Sequence, residues 1–195
     1  MIGIVDYGCG NLKSLENALE HLGLRSRRVG TAREILDAER LILPGVGNFG
    51  HAAQELARRG LDGPLKARAA GNGPILGICL GMQLLFEGSE EAPGSPGLGL
   101  LEGRCELFTD PALKVPHMGW SALAFGERSL AVYFVHSYFV PRWPEGRPCQ
   151  TLGTAQYGRP FLAAFRSGAL AGFQFHPEKS GIQGLALLKE ALTWS

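Results

Sequence analysis

Short apolar runs alternating with helix-period stripes constrain this chain more than any other feature. Met1 to Val5 reads as a strand closed by the turn-rich Asp6-Tyr7-Gly8-Cys9-Gly10. Asn11 can then cap a helix whose Leu12, Leu15, Leu19 and Leu22 fall at i, i+3, i+7 and i+10, one apolar stripe stopped by Gly23. Leu24 to Val29 reads as a weaker strand near an edge, and Thr31 starts a short helix. Leu41-Ile42-Leu43 is a buried-type strand ending at Pro44-Gly45-Val46-Gly47, and helical pattern returns over Phe49 to Arg59 and Asp62 to Ala70. Ile75 to Ile78 forms the next apolar strand, with a helix starting at Leu80. Strands spaced by helices in this way imply right-handed βαβ crossovers and a mostly parallel sheet covered on both faces.

After Gly88 the pattern changes. Glu90 to Gly99 is rich in Gly and Pro, and strand-like runs follow without long helices between them: Arg104 to Phe108, Leu130 to Val140, Gln150 to Tyr157, Phe161 to Phe165 and Leu170 to Phe175. A last helix, Ser180 to Leu192, is expected to bury Ile182, Leu185, Leu188 and Leu192. The fold expected is therefore α/β, a mostly parallel central sheet flanked by helices, with antiparallel strands added in the C-terminal half. At 195 residues, without a repeat or a long linker, the chain is expected to form a single domain over 1–195.

Composition removes several functions. Nineteen Lys and Arg stand against eighteen Asp and Glu with no block of like charge, so neither a nucleic-acid nor an anionic-membrane partner is expected. The most apolar uncharged run, Ile75 to Phe86, is too short to span a bilayer, and Met1 leads into Ile2-Gly3-Ile4-Val5 without a basic leader segment. Cys9, Cys79, Cys105 and Cys149 are scattered, with no C-x-x-C pair and no His at zinc-ligand spacing, and read as reduced cytoplasmic thiols. No cofactor or metal is expected.

The chemistry concentrates in three places. Gly77-Ile78-Cys79-Leu80-Gly81 is a cysteine form of the nucleophile elbow, a strand turning sharply into a helix, whose N-terminus favours a thiolate. A cysteine between Ile and Leu can equally be a small buried hydrophobe. His176-Pro177-Glu178 follows the strand Ala171 to Phe175; at i and i+2 of an extended strand the imidazole and carboxylate share a face, so Glu178 can orient the ring as in a triad. A surface pair is the alternative. Pro44-Gly45-Val46-Gly47 is a glycine-rich loop able to lend a backbone amide to an oxyanion, as the amide of Leu80 can; it is otherwise an ordinary turn.

Together G-I-C-L-G-M-Q around Cys79, His176-Pro177-Glu178 and the P-G-V-G loop resemble the class I, triad-type glutamine amidotransferases. Within that family, Asp6 to Leu12, Pro44 to Gly50, Pro116-His117-Met118-Gly119-Trp120 and His136-Ser137-Tyr138 are similar to the glutaminase subunits of imidazole glycerol phosphate synthases, from histidine biosynthesis. One departure stands out: that family often has Asn after the Trp, where this chain has Ser121, and the change is expected at the mouth of the site.

The resemblance implies that Cys79 attacks the side-chain amide of L-glutamine, His176 moves the proton to departing ammonia and Glu178 orients His176. It assigns the oxyanion amides to Val46 or Gly47 and Leu80, and glutamine contacts to Gln83, Glu91 (the α-amino group), His136, Ser137 and Tyr138. It also implies a heterodimer with a (β/α)₈ cyclase subunit that consumes the ammonia, docked through Asn11, Met118, Trp120, Tyr138 and Lys179. Two other readings use the same residues differently: a stand-alone hydrolase such as a γ-glutamyl hydrolase or cysteine peptidase, and a regulatory subunit without chemistry.

Overall fold

The computed structural model describes residues 1–141 and 149–194, with the backbone alone at Cys149. The N-terminal half alternates as its apolar periodicity demands: β1 (Ile2–Val5), α1 (Leu12–His21), β2 (Ser26–Val29), α2 (Ala32–Asp37), β3 (Arg40–Leu43), α3 (Phe49–Arg58), α4 (Asp62–Ala70), β4 (Ile75–Ile78) and α5 (Leu80–Gln83). Short strands β5 (Phe86–Ser89) and β6 (Leu101–Leu107) follow. Then come β7 (His117–Phe125), β8 (Arg128–His136), β9 (Tyr138–Phe139), β10 (Cys149–Tyr157), β11 (Arg159–Ser167) and β12 (Leu170–Phe173), and finally α6 (Gly181–Ala191).

Among the described residues one nine-stranded sheet runs β2-β1-β3-β4-β12-β11-β10-β7-β8, and a small sheet runs β5-β6-β9. The first five strands of the large sheet are mutually parallel and the rest antiparallel. This is the α/β arrangement expected. β1, β4 and β12 are buried along their length, as strands covered on both faces must be. One apolar layer gathers Ile4, Leu15, Leu19, Phe173, Leu187 and Leu188 under α1 and α6. The opposite layer gathers Val5, Leu43, Phe49, Leu56, Leu65 and Met82 under α2 to α5. Asn11 caps α1 by accepting from the Ser14 amide at 3.3 Å, and Thr31 and Glu34 close a capping box on α2.

Three expectations need correction. The run Leu130 to Val140 is not one strand: the chain leaves the large sheet at His136 and joins the small one at Tyr138, with Ser137 at the crossing. Glu178 does not share a strand face with His176. β12 ends at Phe173 and Pro177–Lys179 is a 3₁₀ turn, which the fixed φ of Pro177 at its first position favours. On α6 the buried positions are Gly184, Leu187, Leu188 and Ala191, with Leu192 just beyond; Leu185 is half-buried and Ile182 is 88% exposed. The cause is Gly184, where a side chain would collide with the Pro177 carbonyl. The helix packs so closely there that its small face turns inward and Ile182 outward.

Candidate active site

The carboxyl ends of β3, β4 and β12 meet at one rim of the sheet, where open parallel sheets bind ligands. At the end of β4 the chain must reverse into α5 within one residue, and Cys79 takes φ 55° and ψ −114°. A β-carbon on Gly77 would lie 2.6 Å from the Met82 α-carbon, and one on Gly81 would collide with the Leu43 carbonyl. Both glycines are thus required by space, and the crowding holds Cys79 in its strained conformation. The Cys79 amide donates to the Phe173 carbonyl at 2.7 Å, fastening the elbow to β12.

β12 delivers the base. His176 Nδ1 and Glu178 Oε1 are 2.8 Å apart, with both side chains 2% exposed. The His176 amide donates to Tyr133 O at 3.0 Å, while Ser180 Oγ donates to His176 O at 2.6 Å and accepts from the Tyr133 amide at 2.9 Å. The His176 backbone is therefore pinned to β8 from two directions. Its Nε2 and Glu178 Oε2 are buried with no hydrogen-bond partner among the described residues. Burial alone would lower the imidazole pKa; the Cys79 sulfur, then the Glu178 carboxylate, outweigh it and raise His176 to about 10. The strongest charge interaction of the ring is thus with the cysteine.

A cavity of about 260 Å³ opens at this point, a size for a small metabolite rather than a large cofactor. Val46, Gly47, Cys79, Leu80, Gln83, Glu91, His136, Ser137, Tyr138 and His176 all line it, so the structure collects every residue expected to contact substrate or oxyanion, while Glu178, expected to orient His176, is enclosed behind the ring. The Pro44–Gly47 loop lies tight on the elbow: a β-carbon on Gly45 would lie 2.7 Å from the Gly81 amide nitrogen and 2.9 Å from the Tyr7 hydroxyl. That hydroxyl donates to Pro44 O at 2.8 Å, and Gly47 has φ 94°, open to glycine at little cost. Glu91 Oε2 accepts from the Phe49 amide at 2.7 Å, setting a carboxylate at the pocket edge.

Gln174 was not singled out by sequence. It is fully buried just past the end of β12, its Nε2 3.9 Å from Cys79 Sγ, and its Oε1 accepts from Gln83 Nε2 at 3.0 Å. Its signal was a lone amide inside Phe173-Gln174-Phe175, a polar group that an apolar layer admits only with partners. Pro116 and Val135 also line the cavity. Ser121 does not: its hydroxyl lies 2.8 Å from His117 Nε2, behind the pocket wall, so the expected contact at the mouth is absent.

The expected docking residues separate into two groups. Met118 and Trp120 are 62% and 58% exposed on β7, and Trp120 stands edge-on to Tyr133, with Lys179 Nζ 5.9 Å from the same ring. A β-carbon on Gly181 would touch Trp120, so the exposed Ile182 belongs to this neighbourhood. Asn11 is exposed at the start of α1. Tyr138 instead faces the cavity, and the aromatic beside Trp120 is Tyr133.

Cys9, Cys79 and Cys105 are unpaired thiols, while the Cys149 side chain lies outside the described residues. Among the described residues no helix is long and apolar enough to cross a membrane, and no group of three His, Cys, Asp or Glu could hold a metal ion.

The family model described as glutamine amidotransferase class-I matches residues 3–193. The chain is 45% identical over 195 residues to "Imidazole glycerol phosphate synthase subunit HisH" of Deinococcus radiodurans, covering 95% of this chain and 89% of that protein. It is 42% identical over 205 residues to "Imidazole glycerol phosphate synthase hisHF" of Schizosaccharomyces pombe, covering 99% of this chain and 38% of that protein. Among solved structures, one titled "Crystal structure of glutamine amidotransferase" superimposes with a TM-score of 0.80 at 22% identity, covering 98% of this chain and 96% of the other.

Proposed function

Since this chain belongs to the class I glutamine amidotransferases, in the group of imidazole glycerol phosphate synthase HisH subunits, we propose that it hydrolyses L-glutamine at Cys79 and passes the ammonia to a cyclase subunit in histidine biosynthesis. Residues 1–195 act as one amidotransferase unit, working in the cytoplasm without a cofactor.

The observation that carries this reading is the buried Nε2 of His176, without a hydrogen-bond partner among the described residues and tied electrostatically to Cys79, while Glu178 holds the other ring nitrogen. Cys79 gives its thiol proton to His176 Nε2 as the sulfur attacks the amide carbon. The carbonyl oxygen becomes an oxyanion facing the Leu80 amide and an amide of the Val46–Gly47 loop. Collapse of the tetrahedral adduct breaks the C–N bond, and His176 gives its Nε2 proton to the leaving nitrogen, which departs as ammonia. Water then attacks the thioester and gives a proton to His176, and glutamate leaves with the thiolate restored. Glutamine and water are consumed, and glutamate and ammonia are formed.

The partner, a (β/α)₈ cyclase, docks on Met118, Trp120, Lys179 and Asn11, with Tyr133 and Ile182 extending that face. Its presence accounts for an exposed Trp and Met on β7, which a stand-alone hydrolase does not need. In the reconstituted complex, Cys79→Ala should abolish product formation from glutamine while leaving product formation from added ammonium salt. Loss of both would sink the assignment of Cys79, and full glutamate release by the chain alone would favour the stand-alone hydrolase.

A further inference from the structure

Behind the glutamine pocket, four polar groups follow one another in an otherwise aromatic layer. β7 and β8 pair His117 directly opposite His136. Ser121 Oγ is 2.8 Å from His117 Nε2, His117 Nδ1 is 3.2 Å from His136 Nε2, and His136 Nδ1 is 2.8 Å from the Tyr138 carbonyl oxygen. Between Ser121 and His117 the strand passes Gly119 at φ 135°, with nothing near enough to meet a side chain there. The bend at that glycine lets a hydroxyl reach a ring four residues back.

The direction of this chain is fixed by its last member. A backbone carbonyl only accepts, so His136 carries its hydrogen on Nδ1. Burial pushes the His136 pKa down to about 3 and that of His117 to about 4, so each ring has one hydrogen at neutral pH. His136 Nε2 is then an acceptor, His117 must donate from Nδ1, and His117 Nε2 must accept from the Ser121 hydroxyl. The same Tyr138 carbonyl receives Gln83 Nε2 at 2.7 Å, and Gln83 Nε2 also donates to Gln174 Oε1. With its nitrogen so engaged, the Gln83 amide can turn only its oxygen to a ligand.

We propose that Ser121, His117 and His136 are positioning residues for glutamine: a one-way hydrogen-bond relay that starts beside the exposed Trp120, fixes the Tyr138 carbonyl and so holds Gln83 with its acceptor towards the substrate. The proposal rests on the glutaminase reading of the pocket. It gives Ser121 a role, since a hydroxyl there supplies the first donor. Buried histidines that merely satisfy one another would stabilise the fold and leave glutamine affinity alone, which separates the two roles by experiment.

The test compares Ser121→Thr with Ser121→Val, side chains of nearly equal shape that differ by the hydroxyl, in the complex with the cyclase subunit. Removing one hydrogen bond of the relay should raise KM for glutamine about two- to tenfold in the Val variant, with kcat changing less than about twofold. The Thr variant should match the native complex. Ser121→Ala, which adds no bulk, should follow Val. Imidazole ¹⁵N shifts of the isolated chain should show His117 and His136 both as Nδ1–H tautomers in the native and Thr forms, and a mixed tautomer for His117 in Val. Equal KM in Thr and Val with native turnover would overturn the relay and leave the glutaminase reading standing, as would Nε2–H tautomers in the native chain. A native complex that releases no glutamate would overturn that reading, and the pocket role with it.

Discussion

Cys79 lines the pocket only in a backbone conformation that costs an L-residue on the order of 1–3 kcal/mol, and the glycines on either side make that conformation possible. His176 is the complementary case, an imidazole most of whose surroundings oppose its charge while two neighbours sustain it. Because its pKa is raised from 6.5 to about 10 in the folded chain, its contribution to stability is complete below pH 6.5 and is lost as pH climbs towards 10. Urea unfolding of the native chain at a series of pH values should therefore show stability falling between about pH 6.5 and 10. The fall should be smaller in Cys79→Ser, which removes the largest support for the charge. Equal slopes would mean that the sulfur and the ring do not interact. At this scale the sequence was readable wherever a motif has a steric reason: Gly77 and Gly81 announce the elbow. Gln174 was not, because nothing local says that an amide between two phenylalanines will lie near a thiol delivered by another strand.

The elements show the same division. β1, β3 and β4 were legible because strands covered on both faces are continuously apolar, and α1 because its leucines keep helical period. β7 escaped notice as a strand because Met118 and Trp120 stand where an ordinary surface strand would carry polar groups, and glycine interrupts it. Ile182 misled because helical period identifies a stripe but not which side the neighbours approach. Close packing at Gly184 decided that. The elbow offers a direct check on how tightly α5 is set against β3. Gly81→Ala should destabilise the chain by about 1–3 kcal/mol and impair glutamine turnover, because the added methyl meets the Leu43 carbonyl. Gly94→Ala, in the loop between β5 and β6 with open space around it, should stay within about 0.5 kcal/mol of the native chain. Thermal unfolding of the two variants side by side is sufficient, and equal effects would contradict the close fit.

For the whole molecule, the three most exposed large apolar residues described, Ile182, Met118 and Trp120, fall in one neighbourhood. Met118, Trp120 and Tyr133 lie across β7 and β8, and Ile182 joins them from α6. Large aromatic side chains in such a patch carry a disproportionate share of binding energy. Trp120→Ala should weaken association with the cyclase subunit about thirtyfold or more, a loss of about 2 kcal/mol, while the isolated chain unfolds within about 1 kcal/mol of the native. Ile182→Asp should weaken it in the same direction. Titration calorimetry measures both, and unchanged affinity in either variant would remove that residue from the docking face.

The order of strands in the large sheet has a further consequence. β12 fills the slot between β4 and β11, although it is the last strand made. At roughly 5–20 residues per second on the ribosome, His176 emerges on the order of 5–20 s after Cys79. Until then the sheet has a gap at its centre and the sulfur has no base to take its proton. A nascent or prematurely terminated polypeptide is therefore unarmed, and cellular glutamine is spared from fragments that could never deliver its nitrogen anywhere useful.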